Sequence, residues 1–254
     1  MGIFYENRRR VKMINDFHVH MGKSSRGTNY TVDDLLRSMD RFEIERSGLS
    51  ILNGVLTPEL NDRVMHAVKD HPDRIVGFGY INPREPKAID EVRRCLDTPG
   101  MRGIKFHSWK HGYFPDNNTA LDGIIDAIEP YDVPILCHTG TAPLALPQQW
   151  AAIARRHPKA TFVFAHIGYL DFGYGCVECV KDLPNVYVDT AGQVEIPVLE
   201  KALDELGPDR ILFATDWPYK YPGSEIVKFG YYELEDAARD KIFRTNALKL
   251  WKLL

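Results

Sequence analysis

Two histidines separated by one residue, His18 and His20, end an early run of β-forming residues. The run from Met13 is too short for a helix and indicates a buried strand, in which residues two apart point to the same face. The imidazoles of His18 and His20 are therefore expected to converge, with Asp16 one step behind them. Two converging imidazoles at the exposed end of a strand are typical of a metal site, although such a pair alone is weak evidence.

Matching residues stand at the ends of later apolar runs: His107, His138, His166 and Asp216. A single histidine at a strand end is more often a hydrogen-bonded core residue than a ligand, and Asp216 alone could be a turn cap. Five imidazoles and one carboxylate at the ends of predicted strands are better explained by one shared site than by a separate structural role for each residue. This nitrogen and oxygen set suits one divalent metal ion, with Zn²⁺ favoured and Mn²⁺, Fe²⁺ or Co²⁺ as alternatives.

Eight short apolar runs predict eight parallel strands that are buried on both faces. They span residues 13–20, 48–55, 74–81, 102–107, 133–138, 161–166, 186–190 and 210–216. Thr31 is predicted to cap the first helix, and the other helices are expected at 58–70, 86–97, 119–129, 145–157, 174–182, 196–206 and within 222–253.

Eight strand–helix units predict either a closed (β/α)8 barrel or a long doubly wound sheet. The barrel is favoured because the polar strand ends then meet at one mouth, where barrel enzymes have their active sites. No glycine-rich nucleotide loop follows the first strand, which weighs against a nucleotide fold. The predicted organisation is an α/β protein with an N-terminal tail, residues 1–12, and a single-domain (β/α)8 TIM barrel, residues 13–254.

Composition restricts the classes of protein to which the chain could belong. Its 254 residues are 44% hydrophobic and 26% charged, and the net charge of -3 argues against a nucleic-acid partner. No apolar run is long enough to predict a membrane span. A chain of this size does not need disulfides, so we expect a cytoplasmic protein with reduced thiols. The pair Cys176 and Cys179 lacks the second pair that a structural zinc site would usually need.

Several motifs resemble the amidohydrolase superfamily and, more narrowly, its amidohydrolase-related branch. They are Asp16-Phe17-His18-Val19-His20, Gly103-Ile104-Lys105-Phe106-His107, His138-Thr139-Gly140, Ala165-His166-Ile167-Gly168, Thr215-Asp216-Trp217-Pro218 and the ending Asn246-Ala247-Leu248-Lys249-Leu250-Trp251. That branch contains metal-dependent hydrolases and non-oxidative decarboxylases such as aminocarboxymuconate-semialdehyde decarboxylase. The resemblance implies a deformed (β/α)8 barrel with one metal ion.

The resemblance also implies roles for individual residues. By position, the metal ligands would be His18, His20, His138 and Asp216. The catalytic residues would be Asp216, which moves a proton, and His166, which contacts the metal-bound water or the substrate. Further candidates around the mouth would bind the substrate: His107, Lys105, Arg26 and Trp217. Arg26 is the best candidate for binding a substrate carboxylate.

Two reactions remain open at this point. The favoured one is hydrolysis of an amide, lactone or ester bond in a small carboxylate-bearing substrate by metal-activated water. The alternative is a metal-dependent, non-oxidative decarboxylation of an aromatic or unsaturated carboxylic acid, in which Asp216 or His166 protonates carbon as CO₂ leaves. A non-catalytic binding barrel is disfavoured, because it would not need the spare acid–base group of His166. The expected partner is a small-molecule substrate, and a homodimer is left open.

Overall fold

The computed structural model describes residues 13–232 and 234–254, so the tail predicted for residues 1–12 lies outside the described residues. The described residues form nine strands in one sheet. The strands are β1 (Ile14–Lys23), β2 (Asn29–Tyr30), β3 (Ile44–Ile51), β4 (Ile75–Tyr80), β5 (Met101–Phe106), β6 (Pro134–Cys137), β7 (Thr161–Phe164), β8 (Val186–Asp189) and β9 (Ile211–Leu212). Strand β2 pairs antiparallel with β1, and the other pairs are parallel.

Hydrogen bonds between the first and last strands close the sheet. Val19 in β1 forms a parallel bridge with Trp217. The backbone N–H of Phe17 donates to the carbonyl of Phe213 at 3.0 Å, and that of Asp216 donates to the carbonyl of His18 at 2.8 Å. The segment after β9 therefore completes the ring of parallel strands, which confirms the predicted (β/α)8 barrel.

Helices follow the strands around the outside of the barrel. They are α1 (Val32–Phe42), α2 (Pro58–Asp70), α3 (Ala88–Leu96), α4 (Ser108–His111), α5 (Ala120–Ile128), α6 (Pro147–Arg156), α7 (Tyr169–Val180), α8 (Ile196–Leu206), α9 (Pro222–Val227), α10 (Asp236–Asp240) and α11 (Asn246–Leu250), with a π-helix at Lys241–Thr245. Within the described residues, no helix is long and apolar enough to cross a membrane.

Most predicted elements lie within a few residues of the observed ones. The capping box of Thr31 and Asp34 begins α1, and α2 and α8 have the predicted bounds. Strand β3 begins at Ile44, before the predicted 48–55, because Glu43 ends α1 in a left-handed conformation and the chain turns at once. Helix α7 begins at Tyr169, five residues before the predicted start, because a kinked turn at Ala165–Gly168 leads directly into it.

The core has two parts, and the smaller one fills much of the space inside the barrel. The larger part lies between the strands and the helices. The smaller includes Leu136 and Ala214, each two residues before a predicted ligand, and Trp251 stacked on Phe17 with ring centroids 5.4 Å apart. Because apolar side chains fill this inner space, the polar side chains that share its parity meet above it.

Candidate active site

The carboxyl ends of the barrel strands bring His18, His20 and Asp216 together. The Nε2 atoms of His18 and His20 are 3.0 Å apart, and Asp216 Oδ1 lies 3.1 Å from His20 Nε2 and 3.8 Å from His18 Nε2. Two ligand atoms bound about 2.1 Å from one ion would be about 3.0 to 3.4 Å apart in octahedral or tetrahedral geometry. The separations of 3.0 and 3.1 Å fit neighbouring ligands of one cation, whereas the 3.8 Å between His18 and Asp216 is wider than this range.

Two further histidines complete a compact cluster, which we call the ligand cluster: His18, His20, His138, His166 and Asp216. His18, His166 and Asp216 offer ligand atoms that all lie within 4.8 Å of one another. His166 Nε2 is 3.2 Å from His138 Nδ1. The geometry thus places His166 as close to the centre as the residues predicted to be ligands, so distance alone does not separate its role from theirs.

Hydrogen bonds on the far side of two imidazoles direct their lone pairs into the cluster. His18 Nδ1 is 3.0 Å from Asp189 Oδ2, and His166 Nδ1 is 2.8 Å from the carbonyl of Ala191. A carboxylate and a carbonyl accept hydrogen bonds, so each Nδ1 carries the proton. The Nε2 atom of each ring therefore carries no proton and has a lone pair, which is the form that binds a metal.

Asp189 is a functional candidate that the sequence analysis did not identify. Its side chain is fully buried, and its second oxygen, Oδ1, accepts from the backbone N–H of His166 at 2.9 Å and of Ala191 at 3.1 Å. One carboxylate thus orients His18 and holds the segment that carries His166. Its position at the end of β8 matches that of the other strand-end residues and was the available signal.

Asp16 was expected behind the two histidines, but its carboxylate bonds elsewhere. It accepts from the Thr215 hydroxyl at 2.6 Å and from the Thr215 N–H at 2.9 Å. The register of β1 against β3 shifts between Asp16 and Val19. Such an irregularity interrupts the alternation of side chains, so Asp16 joins β1 to the last strand.

Burial sets the charge of the ligand cluster. It lowers the pKa of His18, His20 and His138 well below the usual histidine value and also lowers the pKa of His166. These imidazoles are therefore neutral at neutral pH, as metal binding requires. Burial raises the pKa of Asp216, which favours its protonated form more than in water.

Lys105 reaches the same cluster from β5. Its buried Nζ donates to His18 Nε2 at 3.0 Å, and burial lowers its pKa to about 8. The hydrogen bond is further evidence that the His18 lone pair points into the cluster. Lys105 lies two residues before His107, and the length of its side chain brings the ammonium group up to the ligands.

Aromatic rings form one wall of the mouth. His107 stacks on His138 with centroids 3.9 Å apart and planes 16° from parallel, and Trp109 lies 5.7 Å from His107. Trp217 instead contacts Tyr30 at 5.7 Å. The wall offers a flat apolar surface beside the ligand cluster, which suits a planar substrate.

Arg26 lies apart from these residues. Its side chain is exposed in the turn between β1 and β2. The structure does not bring it to the ligand cluster, so its contact with a substrate carboxylate stays a prediction.

The backbone is strained at the rim of the barrel. Asp216, His166 and Thr141 have φ values of 56°, 68° and 69°. Left-handed conformations in residues other than glycine cost of order 1–3 kcal/mol and are concentrated at functional sites. Three of them on different strand ends around one cluster support a functional assignment for this mouth.

Comparison with known proteins identifies the family. A family model described as Amidohydrolase matches residues 16–253, and the chain belongs to this family. A γ-resorcylate decarboxylase from a Rhizobium species is 24% identical over 246 residues, which cover 76% of this chain and 75% of that protein. One from Rhodococcus jostii is 25% identical over 247 residues, with the same coverage of both chains, 76% and 75%.

Solved structures show the same fold. The 5-carboxyvanillate decarboxylase of Novosphingobium aromaticivorans, determined with bound manganese, has a TM-score of 0.78 at 18% identity and covers 97% of this chain and 98% of that chain. The 2,6-dihydroxybenzoate decarboxylase of Rhizobium has a TM-score of 0.76 at 21% identity, with coverage of 96% and 99%.

The relatives correct the expected class of enzyme. The classification as a hydrolase is wrong, because the named relatives are decarboxylases, and they support the alternative that the sequence analysis kept open. The error has a chemical cause. The ligand motifs are shared by hydrolases and decarboxylases of this fold, so they predict the metal site without predicting which bond is broken.

Replacing Asp189 by asparagine should weaken divalent-metal binding by about 10- to 100-fold. Asparagine keeps the shape of the side chain but removes the charge that holds the proton on His18 Nδ1. Affinity would be measured by titrating Mn²⁺ into metal-free protein and counting free ion by electron paramagnetic resonance. Asp204→Asn, at an exposed position on α8, is the matched control. Equal affinities in the two variants would show that Asp189 does not orient a ligand.

Proposed function

We propose that the protein is a metal-dependent, non-oxidative decarboxylase of an aromatic carboxylic acid. One observation carries the choice of reaction, namely the match to γ-resorcylate decarboxylases over 76% of the chain. The ligand cluster and the aromatic wall of His107 and Trp109 are consistent with it, because they place a flat binding surface beside oxygen-binding groups.

We propose His18, His20, His138 and Asp216 as the ligands of one divalent ion. The separations of His20 Nε2 from His18 Nε2 and from Asp216 Oδ1 support this set. Neutral imidazoles and a carboxylate suit Zn²⁺ and Mn²⁺ alike, and the manganese in the carboxyvanillate decarboxylase structure favours testing Mn²⁺ first. When bound, such an ion would hold and polarise the oxygen atoms of the substrate.

Asp216 is the proposed proton donor. Decarboxylation of an aromatic acid requires a proton at the ring carbon that carries the carboxylate. The bond between that carbon and the carboxylate then breaks, and its electron pair restores the aromatic ring as CO₂ leaves. Burial raises the pKa of Asp216, whereas it lowers the pKa of His166 and leaves that ring neutral. His166 holds its one ring proton in the hydrogen bond to the Ala191 carbonyl, so its Nε2 has no proton to give and the Asp216 carboxyl group is the proposed donor.

The remaining residues bind and orient the substrate in this proposal. Lys105 offers a buried positive charge beside His18 for the reacting carboxylate. The rings of His107 and Trp109 pack against the aromatic ring of the substrate. His166, held by the carbonyl of Ala191, presents Nε2 to the space in which substrate oxygen atoms would lie. We also propose that the protein acts on a small molecule, is located in the cytoplasm and forms a homodimer.

A screen of hydroxylated benzoic acids tests the proposed reaction. Protein reconstituted with Mn²⁺ or Zn²⁺ should convert at least one of them, with 2,6-dihydroxybenzoate as the first choice, into the phenol that lacks the carboxylate. The phenol would be quantified by liquid chromatography. Lactones and amides in the same screen provide the comparison, because their exclusive turnover would contradict the proposal.

A further inference from the structure

Two lysine–tyrosine pairs at the mouth have no part in the reaction proposed above. Lys110 Nζ donates to Tyr219 Oη at 3.2 Å, and Lys220 Nζ donates to Tyr169 Oη at 2.8 Å. Tyr219 and Lys220 are neighbours in the loop that follows β9. This loop is therefore joined to α4 through Lys110 and to the first residue of α7 through Tyr169.

Each pair lies beside a different histidine of the ligand cluster. The ring of Tyr219 is 6.1 Å from the ring of His20, and the ring of Tyr169 is 5.6 Å from the ring of His166, in both cases edge to face. The two ammonium groups are thus attached to two separate parts of the rim. A substrate held at the ligand cluster would lie near both.

Neither ammonium group lies within ion-pair distance of a carboxylate in the described part of the chain, although the charge of Asp216 acts on both at longer range. The ion pairs formed by residues 13–232 and 234–254 include several lysines, among them Lys181, Lys201 and Lys228, but not Lys110 or Lys220. Lys110 donates only to neutral oxygens, the Tyr219 phenol and the carbonyl of Leu52.

A partly buried ammonium group is costly when neutral acceptors are its only partners. Both side chains are only partly exposed. Lys105 already supplies a positive charge in the depth of the site, beside His18. The two ammonium groups at the rim therefore add positive charge beyond what is required to bind one reacting carboxylate.

We propose that Lys110 and Lys220 bind anionic substituents of the substrate, so that the preferred substrate is an aromatic acid with a second acidic group. This inference rests on the proposed function and narrows its substrate class. Tyr219 and Tyr169 orient the two ammonium groups, and the substrate anion supplies a negatively charged partner in direct contact with them. An aromatic acid with a single carboxylate would leave at least one ammonium group unpaired.

The test compares two substrates that differ only in the second acidic group, 2-hydroxybenzoate and 4-hydroxybenzene-1,3-dicarboxylate. Wild-type protein should have a kcat/KM at least about tenfold higher for the dicarboxylate. Lys110→Met and Lys220→Met should raise KM for the dicarboxylate by about 10- to 100-fold, with a much smaller change for 2-hydroxybenzoate. Lys159→Met is the control, since this exposed lysine lies before β7 at the opposite end of the barrel.

Loss of activity that is equal for the two acids would show that the lysines only hold the loop, and would overturn the inference. So would a wild-type protein without preference for the dicarboxylate. Calorimetric binding of both acids separates this inference from the proposed function. Tight, lysine-dependent binding of the dicarboxylate without CO₂ release would contradict the reaction and support the inference. Release of CO₂ without lysine-dependent selectivity would support the reaction and contradict the inference. Failure of both binding and turnover would contradict the reaction and the inference.

Discussion

Replacing Asp216 by asparagine should lower the rate of decarboxylation by about 10²- to 10⁴-fold, the range that a positioned general acid contributes. Asparagine retains an oxygen that can contact a metal ion but has no acidic proton to deliver to carbon. The rate would be measured in single turnover, so that slow product release does not mask the chemical step. Metal content would be measured on the same samples.

The structure supplies a matched control for this variant. Asp182→Asn removes a carboxylate at an exposed position and should leave the rate unchanged. If Asp216→Asn retained at least about a tenth of the wild-type rate with its metal bound, Asp216 would not be the proton donor. His166 would then be the next candidate, and His166→Gln would have to show the larger loss.

Replacing His18 by alanine should remove both metal binding and activity. His18 lies at the centre of the cluster, with Nε2 3.0 Å from His20 Nε2 and 3.0 Å from Lys105 Nζ. Loss of this imidazole removes a ligand and leaves Oδ2 of the buried Asp189 without its hydrogen-bond partner. We expect metal affinity to fall by more than about 100-fold, beyond the effect of losing a residue that only orients a ligand.

Elemental analysis after gel filtration would measure the retained metal in His18→Ala, and thermal unfolding would establish that the variant is folded. His66→Ala is the control, because His66 is exposed on helix α2 and is not at the end of a strand. A folded His18→Ala protein that binds Mn²⁺ as tightly as the wild type would refute the assignment of His18 as a ligand.

The strand-end residues could be predicted because their placement follows from local sequence and one rule of the fold. Short apolar runs predict parallel strands, and carboxyl ends of parallel strands in a barrel meet at one face. His138 follows β6 and Asp216 follows the last strand, so both could be assigned to the mouth without knowledge of any contact. The structure brings them together as expected.

Other features depend on contacts between distant parts of the chain and were not predictable in this way. Asp189 is identified by its bond to His18, 171 residues away. The diversion of Asp16 to Thr215 depends on a register shift within β1. The positive φ of His166 is imposed by the surrounding structure, because local preference alone disfavours it.

The sequence motifs did not predict which reaction the protein catalyses. The ligand cluster predicts that a metal ion and a proton-transferring carboxyl group act together, which serves hydrolysis and decarboxylation equally well. The groups proposed to distinguish substrates lie in the segments that follow the strands, such as Trp109 in the short helix α4 and Lys220 in the loop after β9. A single lysine or aromatic residue at such a position is usually a solvated charge or a packed ring, so each of these residues alone is weak evidence for a substrate site.

Metal-dependent release of CO₂ tests the central claim most directly. Protein stripped with a chelator and protein reloaded with Mn²⁺ would each be given 2,6-dihydroxybenzoate or 4-hydroxybenzene-1,3-dicarboxylate labelled with ¹³C in the carboxylate that is lost, and labelled CO₂ would be followed by mass spectrometry. We predict release from the reloaded protein with one equivalent of decarboxylated phenol per CO₂, and none above background from the stripped protein. Equal release from both samples, or none from fully reloaded protein with either acid, would contradict the account.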